Sequence, residues 1–264
     1  MSERLVDGHQ ARKRFGQNFL HDPAVIGRIV TAIDPRPGQR LVEIGPGMGA
    51  ITFPVLERSG RIEVVELDRD LIPRLKLAAE GRGELIVHQS DALKFDFGSL
   101  TEEPASLRII GNLPYNISTP LIFHLFDAVT KVRDMHFMLQ KEVVERMAAG
   151  PGDDAYGRLS VMVQYWAEVE FLFLVGPGAF KPAPKVDSAI VRLTPHRVLP
   201  HPAKDARRLS GIVAAAFNQR RKTLRNCLRD AVPAGTLERV GIDPGLRAEQ
   251  LALKDFVAIA NAVE

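Results

Sequence analysis

The sequence predicts an α/β protein in which a largely parallel sheet is covered by helices on both faces and followed by a small all-helical domain. Strand-like and helix-like segments alternate between residues 40 and 149, which is typical of βαβ units. Residues 169–175 and 186–193 look like an antiparallel strand pair. Beyond Leu193 only helix-like segments follow.

The elements of the predicted sheet follow one another at short intervals. Short runs rich in Val, Ile and Leu predict five strands, at residues 40–44, 61–66, 84–88, 107–110 and 135–139. Helical spacing predicts helices at residues 50–58, 71–79, 119–129 and 141–149. Ser118-Thr119-Pro120 supports the start of the third of these helices, because the first turn of a helix accepts proline.

A linker separates the two predicted domains. Residues 194–203 contain three prolines and two histidines, and we place the boundary near Pro200. The helices predicted after it are 206–217, 220–229, 236–240 and 246–263. We therefore predict a catalytic or binding domain of residues 1–200 and a helical domain of residues 201–264.

Basic residues are concentrated in the predicted helix of residues 220–229, although the net charge is only +3. Residues 218–229 contain no acid, and they include Arg220, Arg221, Lys222 and Arg225. In a helix, Arg221 and Arg225 share one face. Clustering of this kind is typical of nucleic-acid-binding proteins, and the alternative is an ordinary solvated helix face.

Composition excludes several classes of protein. Cys227 is the only cysteine, which excludes an internal disulfide and a cysteine-based zinc site. No apolar run approaches the length of a membrane span, and the N-terminus lacks the apolar core of a signal peptide. We expect a cytoplasmic protein that does not contact membranes.

Glycine-rich or polar residues follow each of the first four predicted strands. Gly45-Pro46-Gly47-Met48-Gly49 follows the first strand, Glu66 ends the second, Asp91 follows the third, and Asn112 follows the fourth. Ligands of open α/β sheets bind at the carboxyl ends of the strands. We therefore expect these segments to converge on one cleft.

The chemistry of the first three segments indicates a nucleoside ligand. Glycines allow close approach of the backbone, and Glu66, nineteen residues after Gly47, is placed to bind ribose hydroxyls. Asp91 can accept from the amine of an adenine, or it can cap a helix. The spacing Gly-x-Gly-x-Gly differs from dinucleotide and phosphate-loop motifs. It resembles that of Rossmann-like S-adenosylmethionine-dependent methyltransferases, which implies S-adenosyl-L-methionine as cofactor and S-adenosyl-L-homocysteine as product.

Asn112-Leu113-Pro114-Tyr115 suits a base with an exocyclic amine. The Asn112 side-chain oxygen and a neighbouring main-chain carbonyl can accept the two amine protons, and Tyr115 can stack on the ring. Pro114 fixes its own φ and restricts Leu113 to extended conformations. The alternative is a strand that ends in a proline turn.

Four motifs occur in the order that a known family has. They are Phe15-Gly16-Gln17-Asn18-Phe19-Leu20, Glu43-Ile44-Gly45-Pro46-Gly47, Asn112-Leu113-Pro114-Tyr115-Asn116-Ile117-Ser118 and Phe180-Lys181-Pro182-Ala183-Pro184-Lys185-Val186-Asp187-Ser188. Over roughly residues 10–230 the chain resembles the small-subunit (16S) ribosomal RNA adenine dimethyltransferases. The resemblance implies that an N-terminal segment, residues 1–22, closes over the cofactor, which contacts Asn18, Leu20, Gly45, Gly47, Glu66, Leu67, Asp91, Ala92 and Asn112.

The resemblance also implies a substrate and a mechanism. The substrate is a pair of adjacent adenosines in a hairpin near the 3′ end of the RNA, each methylated twice at N6. We expect this RNA to be in an assembling 30S particle, and the alternative is naked RNA. Acceptors at Asn112 and the adjacent carbonyl localise the N6 lone pair, and direct transfer needs no metal. We expect Phe180 to be an outer stacking wall for the base, or else a buried anchor for the proline turn, and the protein to be a monomer.

Three other functions remain open at the level of sequence. A large-subunit RNA adenine methylase shares the Asn112–Tyr115 pattern, but the Phe180–Ser188 segment resembles the small-subunit family more. A DNA adenine methylase more often begins this motif with aspartate. An assembly or transcription factor would use the fold for binding only, whereas intact Glu66, Asp91 and Asn112 favour an active enzyme.

Overall fold

The computed structural model describes residues 5–6, 9–10, 18–219 and 221–263. In chain order its strands are β1 (Leu5–Val6), β2 (His9–Gln10), β3 (Phe19–Leu20), β4 (Arg40–Ile44), β5 (Arg61–Glu66), β6 (Glu84–Gln89), β7 (Leu107–Asn112), β8 (Val132–Gln140), β9 (Ala167–Val175), β10 (Phe180–Lys181) and β11 (Ser188–Pro195). Its α-helices are α1 (Pro23–Ile33), α2 (Thr52–Ser59), α3 (Ile72–Ala79), α4 (Ser118–Leu125), α5 (Lys141–Ala148), α6 (Arg158–Trp166), α7 (Ala206–Phe217), α8 (Leu224–Cys227), α9 (Thr236–Arg239) and α10 (Leu253–Ala262).

Seven strands form the main sheet, in the order β6-β5-β4-β7-β8-β11-β9. The first five are parallel, and β11 is antiparallel to β8. The strand order reverses between β4 and β7, and such a switch point is where open α/β sheets bind ligands. The predicted α/β class and the five predicted parallel strands are confirmed, and β9 and β11 are neighbours as expected.

One glycine allows β4 and β7 to approach closely, and one aspartate caps α1. A side chain on Gly111 would place its Cβ 2.7 Å from the Ile44 carbonyl oxygen, so only glycine allows β7 to approach β4 this closely. Helix α1, which the sequence did not predict, is capped by Asp22, whose side chain accepts from the main-chain N–H of Ala24 and Val25.

Most of the sheet belongs to a first compact unit, which comprises the described residues up to Val144 and Glu170–Pro195. A second unit comprises Glu145–Val169 and the residues from His196 onward. The predicted boundary near Pro200 therefore missed the helical segment that contains α6. Chain composition could not reveal it, because this segment contacts α7 and α10 although it precedes β9 and β11 in the sequence.

The predicted continuous helix of residues 220–229 is wrong, because among the described residues 221–229 only those of α8 are helical. The main-chain N–H groups of Leu224 and Arg225 donate to the carbonyls of Leu246 and Pro244, at 2.8 and 3.0 Å, so they are not available to a helix that began earlier. Arg221 and Lys222 lie in a turn before α8, and Arg220 lies outside the described residues.

No helix in the described part of the chain is long and apolar enough to cross a membrane.

Candidate active site

A cavity of about 250 Å³ opens where β4, β5, β6 and β7 end, within the first compact unit. Twelve of the residues predicted from the sequence line it: Asn18, Leu20, Gly45, Gly47, Glu66, Leu67, Asp91, Ala92, Asn112, Leu113, Pro114 and Tyr115. The cleft that the sequence predicts therefore exists, and residues up to 99 positions apart, Asn18 and Ile117, meet in it.

The glycine turn after β4 owes its shape to left-handed backbone conformations. Gly45 has φ 64° and Gly47 has φ 58°. A Cβ on Gly47 would lie 3.2 Å from a ring carbon of Phe19, and one on Gly49 would lie 2.2 Å from the ring of Phe53. Larger residues would therefore fill the space between this turn and its neighbours.

Glu66 is held at the end of β5 by main-chain donors. Its Oε1 accepts from the N–H of Asp68 at 2.7 Å, and its side chain is 7% exposed. Burial raises the pKa of Glu66, while hydrogen bonds from the main-chain N–H groups of Asp68 and Gly47 oppose that rise. The carboxyl group is fixed in direction, which suits it to accept from two adjacent hydroxyls.

Asp91 lies just after the end of β6, where it both closes a turn and lines the cavity. Its Oδ1 accepts from the N–H of Leu93 at 3.0 Å, which closes the turn after β6, and the residue also lines the cavity. It caps a turn and not an α-helix. Nearby, the Leu67 side chain is 49% exposed although it is apolar, and it offers a surface for a flat ring.

Asn112 contacts the N-terminal segment directly. Its Nδ2 donates to the main-chain carbonyl of Asn18 at 3.2 Å. A carbonyl oxygen can only accept, so this contact requires the amide nitrogen on that side and leaves Oδ1 as the acceptor. The next residue, Leu113, also lines the cavity, and the carbonyl of Pro114 accepts from the N–H of Ile117 at 3.1 Å.

Phe180 is the one predicted catalytic residue that does not line the cavity. It pairs with Leu20 through the β10–β3 ladder, its side chain is 2% exposed, and it packs in the hydrophobic core with Ile29 and Val30. A ring covered in this way has no free face for a base. The structure therefore corrects the predicted stacking wall and agrees with the alternative, a buried anchor for the proline turn.

Glu43 is a site residue to which the sequence analysis gave no role. It lines the cavity from β4 and is 2% exposed, and its Oε2 accepts from Thr52 Oγ1 at 2.5 Å. Burial, together with the nearby Glu66 carboxylate, outweighs the Thr52 hydrogen bond and raises the pKa of Glu43 to about 8. The signal available in the sequence was an acidic residue between the apolar residues Val42 and Ile44 of a predicted strand.

The electrostatic character of the cavity disfavours a phosphate ligand. The described lining residues include the carboxyl groups of Glu43, Glu66 and Asp91 but no lysine, arginine or histidine. Among the same described residues, no group of three His, Cys, Asp or Glu side chains is arranged to hold a metal ion. The cavity therefore suits a nucleoside that is neutral or positively charged.

Comparisons with known proteins agree with this chemistry. A family model described as ribosomal RNA adenine dimethylase matches residues 8–264. The chain is 61% identical to the ribosomal RNA small subunit methyltransferase A of Pseudomonas fluorescens (strain Pf0-1) over 253 residues, which cover 96% of this chain and 93% of that protein. It is also 61% identical to the protein of the same name from Marinobacter nauticus over 254 residues, 96% of this chain and 92% of the other.

Two solved structures are similar over nearly the whole chain. A dimethyladenosine transferase from Plasmodium falciparum has a TM-score of 0.78 at 27% identity, and the match covers 91% of this chain and 95% of that one. A 23S rRNA methyltransferase has a TM-score of 0.72 at 25% identity, with 93% and 99% covered.

Proposed function

Because this chain belongs to the ribosomal RNA adenine dimethylase family, we propose that it dimethylates N6 of two adjacent adenosines near the 3′ end of small-subunit ribosomal RNA. The observation that carries this proposal is the meeting of Glu66, Asp91 and Asn112 in one cavity that contains no basic lining residue among those described. Such a cavity suits an adenosine-containing, positively charged cofactor beside a second adenine.

S-adenosylmethionine fits the hydrogen-bond acceptors and apolar side chains that line the cavity. Glu66 binds the ribose hydroxyls, Asp91 accepts from the adenine amine, and the Leu67 and Ala92 side chains contact the adenine ring. The glycine turn accommodates the amino-acid part, while Asn18 and Leu20 close the cavity from the N-terminal side. When bound, the cofactor supplies a methyl group on a positively charged sulfur.

The residues after β7 prepare the target amine. In the first transfer, Asn112 Oδ1 and the Leu113 carbonyl accept the two N6 protons, which localises the nitrogen lone pair. In the second transfer one N6 proton remains, and the first methyl group stands where the other proton was. Tyr115 stacks on the base, and Pro114 keeps the acceptors in place before the substrate arrives. In each round of transfer, the amine then loses a proton to solvent.

Small-subunit RNA is favoured over large-subunit RNA by the sequence comparisons. The relatives at 61% identity are named as small-subunit methyltransferases, whereas the similar 23S rRNA methyltransferase structure shares 25% identity. The substrate form that we propose is the RNA in an assembling 30S particle, methylated in the cytoplasm by a monomer.

The exposed basic residues of the second unit supply the RNA contact. Arg221, Lys222 and Arg225 are exposed, and their side chains form no ion pair with any described residue. By contrast, Arg208 and Arg239 donate to the carbonyls at the end of α10, so they serve the fold. Arg220 is proposed as a contact from its sequence position alone.

The direct test is mass spectrometry of small-subunit RNA digests. Cells that lack the protein should lose N6,N6-dimethyladenosine from both positions, and the purified protein should restore it on their 30S particles. Restoration in large-subunit RNA, with none in small-subunit RNA, would instead support the large-subunit function.

Glu66→Ala should weaken S-adenosylmethionine binding by roughly 1.5–3 kcal/mol, the range for a hydrogen bond to a charged group. Calorimetric titration measures the change, and Glu80→Ala, at an exposed carboxyl group, is the control. Unchanged affinity in a folded Glu66→Ala variant would contradict the assignment of Glu66 to the ribose hydroxyls.

Replacing Arg221, Lys222 and Arg225 together with glutamine should weaken RNA binding and reduce its dependence on salt. Each lost phosphate contact removes about 0.7–0.9 from the slope of log affinity against log salt, so the slope should fall by roughly two. Because these residues belong to the second unit, S-adenosylmethionine affinity should not change. Equal slopes of log affinity against log salt for the wild type and the triple variant would mean that these residues form only a solvated surface.

A further inference from the structure

The hydroxyl groups of two buried serines hold Tyr115 at both ends. Its phenolic oxygen lies 2.7 Å from Ser188 Oγ, and its main-chain carbonyl accepts from Ser118 Oγ at 3.2 Å. The serines are 0% and 2% exposed, and neither lines the cavity, whereas Tyr115 does. The aromatic ring at the cavity is therefore oriented by residues that lie behind it.

Ser188 is a rigid anchor because of its place in the sheet. It begins β11, which lies between β8 and β9, and it pairs with Gln140 at the end of β8. The preceding carbonyl, of Asp187, accepts from the N–H of Lys141 at 2.9 Å. Because its main chain is fixed by pairing with β8, Ser188 offers a fixed partner to the tip of the ring.

The hydrogen bond at the tip of the ring fixes the direction in which the ring points. Tyr115 lies in the loop between β7 and α4, where no strand pairing fixes a side chain. Ser118 fixes only the main chain, so the phenolic contact selects the χ1 rotamer, which decides where the tip of the ring lies. Burial raises the pKa of Tyr115 and outweighs the opposing effect of the Ser188 bond, so its hydroxyl keeps its proton. A ring ordered in advance loses no further rotamer freedom when a base binds.

We propose that Ser188 is a positioning residue for methyl transfer, which fixes the direction in which the Tyr115 ring points and so where it lies for stacking on the target adenine. The proposal rests on the proposed function and deepens it. Ser188 acts through Tyr115 and touches neither base nor cofactor. It also gives the Phe180–Ser188 segment a role in the site that the buried Phe180 does not have.

A double-mutant cycle tests the proposal. Tyr115→Phe keeps the ring and removes the hydroxyl, while Ser188→Ala removes its partner. Each should lower the single-turnover rate of methylation of 30S particles, at saturating S-adenosylmethionine, by about 3- to 10-fold, the range for one net hydrogen bond. Since both variants break the same bond, the double variant should be no slower than the slower single variant.

Two measurements separate positioning from a general structural effect. S-adenosylmethionine affinity should be unchanged in all three variants, because the ring faces the base. Ser59→Ala is the matched control: Ser59 is 4% exposed and its Oγ donates to the Val55 and Arg61 carbonyls, so its loss should lower the melting temperature without changing the methylation rate.

Several results would overturn the role of Ser188. These are an unchanged rate in folded Ser188→Ala, effects that multiply in the double variant, or a wild-type rate in Tyr115→Phe. The last applies even if Ser188→Ala does not fold. Wild-type activity in the same assay reports on the proposed function separately: an inactive wild type contradicts that function, whereas an active wild type with unaffected variants contradicts only the positioning role.

Discussion

Asn112→Ala is expected to reduce the single-turnover rate of methyl transfer by at least about 10²-fold while S-adenosylmethionine affinity changes only a few-fold. The side chain supplies one of two acceptors for the N6 protons, and that interaction strengthens as the lone pair localises in the transition state. An interaction made chiefly in the transition state affects turnover more than binding. Quench-flow methylation of 30S particles, with calorimetry of cofactor binding, measures both quantities.

Asn112→Asp separates the two functions of this amide. Aspartate keeps an acceptor for the amine but cannot donate to the Asn18 carbonyl, and its charge repels that oxygen. We therefore expect it to weaken S-adenosylmethionine binding more than Asn112→Ala does. A near-wild-type yield of dimethyladenosine from folded Asn112→Ala would contradict the catalytic role of Asn112.

The parallel sheet and most of the cavity were predictable because their signals are local. Each strand is a short apolar run. The residues that follow it lie at the carboxyl edge of the sheet, where open α/β sheets bind ligands. The positions of Glu66 and Asn112 in the cavity could therefore be predicted from the ends of their strands alone. The switch point between β4 and β7 follows from the same strands once their order is known.

Contacts between distant segments were not predictable in this way. The Asn112–Asn18 and Tyr115–Ser188 hydrogen bonds join residues 94 and 73 positions apart, and no local pattern encodes them. Phe180 was misassigned for a related reason: its pairing with Leu20 turns the ring into the core. The helix predicted around Arg221 does not form because the N–H groups of Leu224 and Arg225, which its first turn would need, donate to the carbonyls of Leu246 and Pro244.

The free energy of unfolding of the wild type is expected to fall as pH rises, and that of Glu43→Gln is expected to fall much less. The folded protein keeps a proton on Glu43 up to about pH 8, because burial disfavours the carboxylate, whereas the unfolded chain releases it near pH 4.5. Unfolding therefore releases a proton between these values, and the free energy of unfolding falls with pH across that window. At about 1.4 kcal/mol per pKa unit, the loss reaches roughly 3–5 kcal/mol near pH 8.

Glutamine is the suitable replacement because it is neutral at every pH and its side-chain oxygen can still accept from Thr52. Urea unfolding without cofactor is monitored by circular dichroism at pH 5.5, 7 and 8.5. The free energy of unfolding should fall less steeply with pH for Glu43→Gln than for the wild type. Some decline should remain, since burial also raises the pKa of Glu66. Glu80→Gln, at the same exposed carboxyl group used as a control for Glu66, should behave as the wild type. Equal slopes for Glu43→Gln and the wild type would mean that Glu43 is ionised in the folded protein across this range.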